Sequence, residues 1–151
     1  MYDVLLAIHN ILRWVVLIVL IVTVVRAVVG WLGKRDWLET DSRLATFSTM
    51  GIDIQLLLGL LLYIFFSPLA LEAITNQGFS FVMENPEYRF FAIEHGLLML
   101  LAVVFGHLGS ILSKRVVDST ARFRRATIWF GLALLAILAG IPWERAFFPG
   151  L

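Results

Sequence analysis

The chain has 151 residues, 60% of them hydrophobic, and a mean hydropathy of +0.90, well above the roughly 45–50% apolar content of soluble domains, so it reads as a single integral membrane domain over 1–151. Its 12 Lys and Arg nearly balance 11 Asp and Glu, which leaves no basic surplus for a nucleic-acid partner. The absence of cysteine excludes disulfides, thiolate catalysis, iron–sulfur clusters, Cys-ligated zinc and covalent haem attachment.

About 20 apolar residues in a helix cross a hydrocarbon core of about 30 Å, and four stretches meet that length: 4–29, 44–66, 90–112 and 126–142. They are continuously apolar rather than alternating, which excludes membrane strands. The first has neither a basic leader nor a cleavage site and is expected to stay in the mature chain. The second contains Gly51 and Gly59, the third Ala102, Gly106 and Gly109, and the fourth Ala136 and Gly140, small residues that let helices approach closely. Trp129 and Trp143 would anchor the short fourth span, with Pro142 closing it. The expected fold is an all-α, four-transmembrane-helix up-and-down bundle in the lipid bilayer.

Charge in the connections sets the orientation. Lys34, Arg35 and Arg43 follow the first span, and Lys114, Arg115, Arg122, Arg124 and Arg125 follow the third. By the positive-inside rule both connections are cytoplasmic and both termini are outside. The outer connection, 67–89, carries Glu72, Glu84 and Glu87 against Arg89 alone. Its Pro68-Leu-Ala-Leu start favours a short surface helix.

Ionisable residues inside hydrocarbon are costly and therefore informative. Near the outer face the first span supplies His9, Asn10 and Arg13, and the third supplies Glu94 and His95. Both histidines lie one to two turns from the outer ends of their spans, at similar depth, so two imidazoles are expected to face each other across the bundle. That arrangement suits the two axial positions of one haem b. Met99, Ala102 and Gly106 continue the stripe below His95, and Arg13 and Arg89 are candidates to pair with the propionates. The competing reading is structural: a buried Glu94–Arg13 ion pair, with His9 and Asn10 satisfied locally. A quinone or metal-ion site at the same cluster is a further alternative.

A deeper layer holds Asp53, Gln55, His107 and Arg26. Asp53 needs a donor, with His107 and Arg26 as candidates, and an interhelical hydrogen bond, a proton relay or a quinone contact would all use it. Arg26 is near enough to the cytoplasmic end to snorkel. Three histidines cannot ligate two haems axially from both sides, so one haem is the maximum for a monomer.

The segments Ile8-His9-Asn10-Ile11-Leu12-Arg13-Trp14, Asp53-Ile54-Gln55-Leu56-Leu57-Leu58-Gly59, Glu87-Tyr88-Arg89-Phe90-Phe91-Ala92-Ile93-Glu94-His95, Gly106-His107 and Ile141-Pro142-Trp143 resemble those of small bacterial four-helix integral membrane proteins labelled cytochrome b or cytochrome b-like. The resemblance spans almost the whole chain. It implies a multi-pass protein of the bacterial cytoplasmic (inner) membrane, with His9, Arg13, Asp53, Gln55, Glu94, His95 and His107 at the positions that matter. The leading expectation is a single-haem subunit in or beside a respiratory or quinone-linked electron-transfer assembly, without enzyme activity of its own. The alternative is a non-catalytic accessory subunit, packed on larger complex subunits or forming a homo-oligomer, whose polar residues serve helix packing.

Overall fold

A computed structural model describes residues 1–143, and every regular element among them is helical. Helix α1 (Tyr2–Leu32) is followed by α2 (Glu39–Leu61), which runs on through a π-helical turn at Leu62–Phe66. Three short helices, α3 (Leu71–Gln77), α4 (Phe79–Glu84) and α5 (Pro86–Arg89), form the long connection. A second π-helical turn, Phe90–Glu94, leads directly into α6 (His95–Lys114), and α7 (Ser119–Gly140) completes the bundle. Four rods are long and apolar enough to cross a membrane, Tyr2–Leu32, Glu39–Gln77, Pro86–Lys114 and Ser119–Gly140, as in a multi-pass membrane protein.

The helices outrun the apolar windows 4–29 and 90–112 at both ends and 44–66 at its start, because charged residues leave lipid without breaking a helix. Helix α7 starts seven residues before the expected 126, where Asp118 caps it by accepting a hydrogen bond from Ala121 N at 2.6 Å. It ends at Gly140, two residues short of Pro142, and Trp143 donates from Nε1 back to the Leu138 carbonyl at 3.0 Å. The expected surface helix forms as α3, beginning three residues after Pro68. With α4 and α5 it builds a small cluster of Ala73, Val82 and Ala92, flanked by Phe81 and Tyr88, over one end of the bundle.

Helix α1 packs against α2 and α7, and α6 against the same two. The cross-section is therefore a square with α1 and α6 on one diagonal. Leu20, Ala102, Ala133 and Phe130 are fully buried at its centre. In lipid no hydrophobic force drives helices together, so close van der Waals contact does that work. Small residues supply it: Gly51 faces Val16, Gly106 faces Ile52, and Gly109 lies on the Phe130 ring.

One end of the bundle carries the basic connections. There Arg26 does not meet Asp53; its Nε donates to Asp41, whose side chain is almost fully buried. The other Asp41 oxygen accepts from Leu38 N at 2.8 Å and so caps α2. Trp37 joins three elements, donating from its backbone to Ser119 Oγ at 3.0 Å and from its indole to Ser42 Oγ at 2.8 Å. Arg122 and Arg125 donate to the Val116 and Leu112 carbonyls near the end of α6.

Two substitutions test this packing. A Cβ on Gly30 would lie 2.5 Å from the buried Phe123 ring, whereas one on Gly131 meets open space. Gly30→Ala is therefore expected to cost about 1–3 kcal/mol and Gly131→Ala none, read as thermal unfolding in detergent. Asp41→Asn weakens two hydrogen bonds to a buried group and is expected to cost about 1–3 kcal/mol, while Glu39→Gln, in an exposed pair with Arg43, leaves unfolding within about 0.5 kcal/mol of the parent.

Candidate functional site

At the end opposite the basic connections, His9 on α1 and His95 on α6 project from diagonally opposed helices toward the bundle axis. Their ring centroids are 6.4 Å apart and their planes are inclined at 67°. The π turn at Phe90–Glu94 immediately precedes His95, and the one at Leu62–Phe66 lies at the same level of α2. Such turns bond i→i+5, rotate the phase of the residues that follow, and are frequent at functional sites. The two are tied together where Tyr63 Oη donates to the Ala92 carbonyl at 2.9 Å.

Each imidazole has a distinct environment. His95 Nδ1 lies 2.7 Å from the Gly140 carbonyl. A carbonyl only accepts, so the proton resides on Nδ1 and Nε2 keeps its lone pair. This backbone anchor is the device that orients metal-binding histidines elsewhere. It exists because α7 ends at Gly140, freeing a terminal carbonyl. His9 is held differently: it is buried, and its backbone carbonyl accepts from Gln55 Nε2 at 2.8 Å. Its ring lies beside Gly59, where a Cβ would be 3.3 Å from His9 Cε1. Gln55 thus acts as a strut between α1 and α2.

A cavity of about 290 Å³ opens at the histidine pair, lined by Tyr2, Asn10, Arg13, Tyr63 and Phe91 among others. A second space of about 30 Å³ lies on the far side of the same pair, bounded by Met99, Gln55, Arg13 and Ile137. His9 and His95 line both. Three buried polar atoms around this centre have no hydrogen-bond partner: His9 Nδ1, Arg13 Nε and Gln55 Oε1. Buried polar groups in native proteins are nearly always satisfied, so this constellation has the chemistry of a site for a polar or metal-bearing ligand.

The remaining candidates divide. Arg13 reaches the cavity, with its guanidinium 5.3 Å from the Trp14 ring, and it forms no ion pair with Glu94. Glu94 instead accepts from Arg89 Nε at 2.8 Å, and Arg89 also donates to the Met83 carbonyl at 3.3 Å. Both side chains are half-buried and Arg89 does not line the cavity, so it belongs to the cap rather than the cavity wall. Met99 does line the inner space, and its methyl occupies the position a Gly140 Cβ would take. Asp53 and His107 pair at 3.0 Å between α2 and α6, far from His95 along α6 and on the outer surface of the bundle. No group of three or more His, Asp or Glu converges to hold a metal ion among the described residues.

The sequence does not advertise the Gly140 carbonyl, the two π turns or Tyr63. The only visible signal was the Gly140-Ile141-Pro142 break, which frees carbonyls at a helix end.

The His95 tautomer is directly measurable. Ring 15N shifts of the detergent-solubilised protein are expected to report a protonated Nδ1 and an unprotonated Nε2 on His95, and a proton on Nε2 would remove the inferred anchor. No family model, curated protein or solved structure matches this chain.

Proposed function

We propose that the His9–His95 centre holds one haem b and that the protein is a single-haem, cytochrome-like membrane subunit. The observation that carries this reading is the separation of the two rings. An imidazole nitrogen binds a first-row metal at about 2 Å, and the ring centre lies about 1 Å behind it, so two imidazoles that shared one iron would have centroids up to about 6 Å apart. The pair here is at 6.4 Å, on diagonal helices, with one ring already anchored through Nδ1. Arg13 lies beside the cavity without a carboxylate partner among the described residues, as a propionate would require.

The donor set fits the group; the space fits only after side chains move. At about 290 Å³ the cavity is at the lower edge of ligand pockets, which run from about 300 to 1,000 Å³. Met99 and Phe91, which border the pair on two sides, are the side chains that would swing. A bound haem would supply one-electron exchange at an iron held by two imidazoles. The chain's own part is to fix the ligands, to supply a cation at Arg13 and to exclude water beneath the α3–α5 cap.

With the basic connections cytoplasmic, the histidine end and both termini lie outside, in a bacterial inner membrane. A group held by His9 and His95 would sit at the outer leaflet, so the partner proposed is a respiratory or quinone-linked assembly meeting that side. Deep polar residues such as Asp53 and His107 then serve assembly rather than redox chemistry.

Protein produced with ample haem is expected to show a sharp alpha band in its reduced-minus-oxidised spectrum. His9→Ala and His95→Ala each abolish it, and His107→Ala leaves it intact. Colourless protein under those conditions, or unchanged spectra in both alanine variants, would leave the accessory-subunit reading.

A further inference from the structure

The Asp53–His107 pair is unusual in its placement. Its side chains are 38% and 47% exposed, yet His107 lies seven residues, about 10 Å, inward of Lys114 at the end of α6. Ionisable residues within membrane spans almost always face a bundle interior or a water-filled cavity. This pair does neither within one copy: it sits on the seam where α2 and α6 meet, facing outward.

We infer that the α2–α6 face is the contact between two copies of this chain, related by a two-fold axis along the membrane normal through the Asp53–His107 pairs. The pair is self-complementary. His107 Nε2 and Asp53 Oδ1 engage each other, which leaves His107 Nδ1 and Asp53 Oδ2 to meet a neighbour. With the proton on the imidazole, Nδ1–H donates to a carboxylate oxygen of the second copy; with the proton on the carboxyl, Oδ2–H donates to the second copy's Nδ1. Either way a closed ring of four groups forms and no net charge remains in hydrocarbon. A two-fold along the normal brings identical residues to identical depth, so the match in level follows from the symmetry.

The surrounding surface fits the same geometry. Met50, Leu57 and Leu60 flank Asp53 on α2, and Leu100, Val104 and Ile111 flank His107 on α6, all exposed. The spacings 50, 53, 57, 60 and 100, 104, 107, 111 alternate threes and fours, the pattern of a packed helical seam. Helices α2 and α6 are also the least covered of the four spans. The histidine-pair centre lies inside the bundle, so this contact is independent of whether haem binds.

The absence of cysteine makes single-cysteine cross-linking in native membranes decisive. Oxidation of Leu57→Cys or Val104→Cys is expected to give a covalent dimer, and Val15→Cys on α1 or Leu135→Cys on α7, exposed on the other faces, is expected to give none. In the Leu57→Cys chain, replacing Asp53 and His107 together by Leu is expected to lower the dimer yield roughly tenfold with helicity retained by circular dichroism. A monomer by light scattering in lipid nanodiscs would overturn the inference. So would equal cross-linking through α1 and α7, cross-linking of Leu57→Cys only to a different polypeptide, or undiminished dimer in the folded double-Leu variant.

Discussion

A polar group in hydrocarbon has no water to turn to, and the structure is organised by that constraint. Backbone groups meet it by helix formation. Side chains meet it by finding one another across helices, and each such meeting fixes two rods. Arg26 and Asp41 clasp α1 to α2 at the basic end, Gln55 holds the His9 carbonyl at the other, and Tyr63 ties two π turns together. His95 is pinned to the end of α7 by the Gly140 carbonyl. Between these polar joints the helices touch through glycines and alanines, where only contact area favours association.

The constraint also separates the satisfied polar residues from the unsatisfied ones. Most buried donors and acceptors have partners, as they must, but His9 Nδ1, Arg13 Nε and Gln55 Oε1 at the histidine centre lack them. Two imidazoles 6.4 Å apart stand there beside an open cavity, with Arg13 at its wall and no acid paired to that guanidinium among the described residues. A buried polar network stabilises a fold only when all its members are paired, and this one is incomplete within the chain.

Two levels of the bundle thus divide the work. The histidine level faces inward, is roofed by α3 to α5, and is built on π turns that interrupt regular helix. The Asp53–His107 level faces outward on a long regular stretch of α2 and α6. Along α6 the two histidines are twelve residues apart, which places them on different sides of the helix. One helix therefore offers one imidazole to the interior and one to the surface.

Much of the fold was legible in the residues themselves. Four apolar runs of sufficient length dictate four long helices, because only helices and closed barrels satisfy backbone groups without water. The shared depth of His9 and His95 followed from counting turns, and the partnership of Asp53 with His107 from the need of a membrane carboxylate for a donor. What tertiary structure decided was direction and choice of partner. Glu94 pairs with Arg89 rather than Arg13, and Arg26 with Asp41 rather than Asp53, because several partners of the right charge lay within reach and only packing selects among them. The two π turns, which set the phase of everything after them, depend on contacts between α2 and α6 that no local pattern encodes. Whether Asp53 and His107 point inward or outward depended likewise on which helix became whose neighbour, and a periodicity carries no record of that.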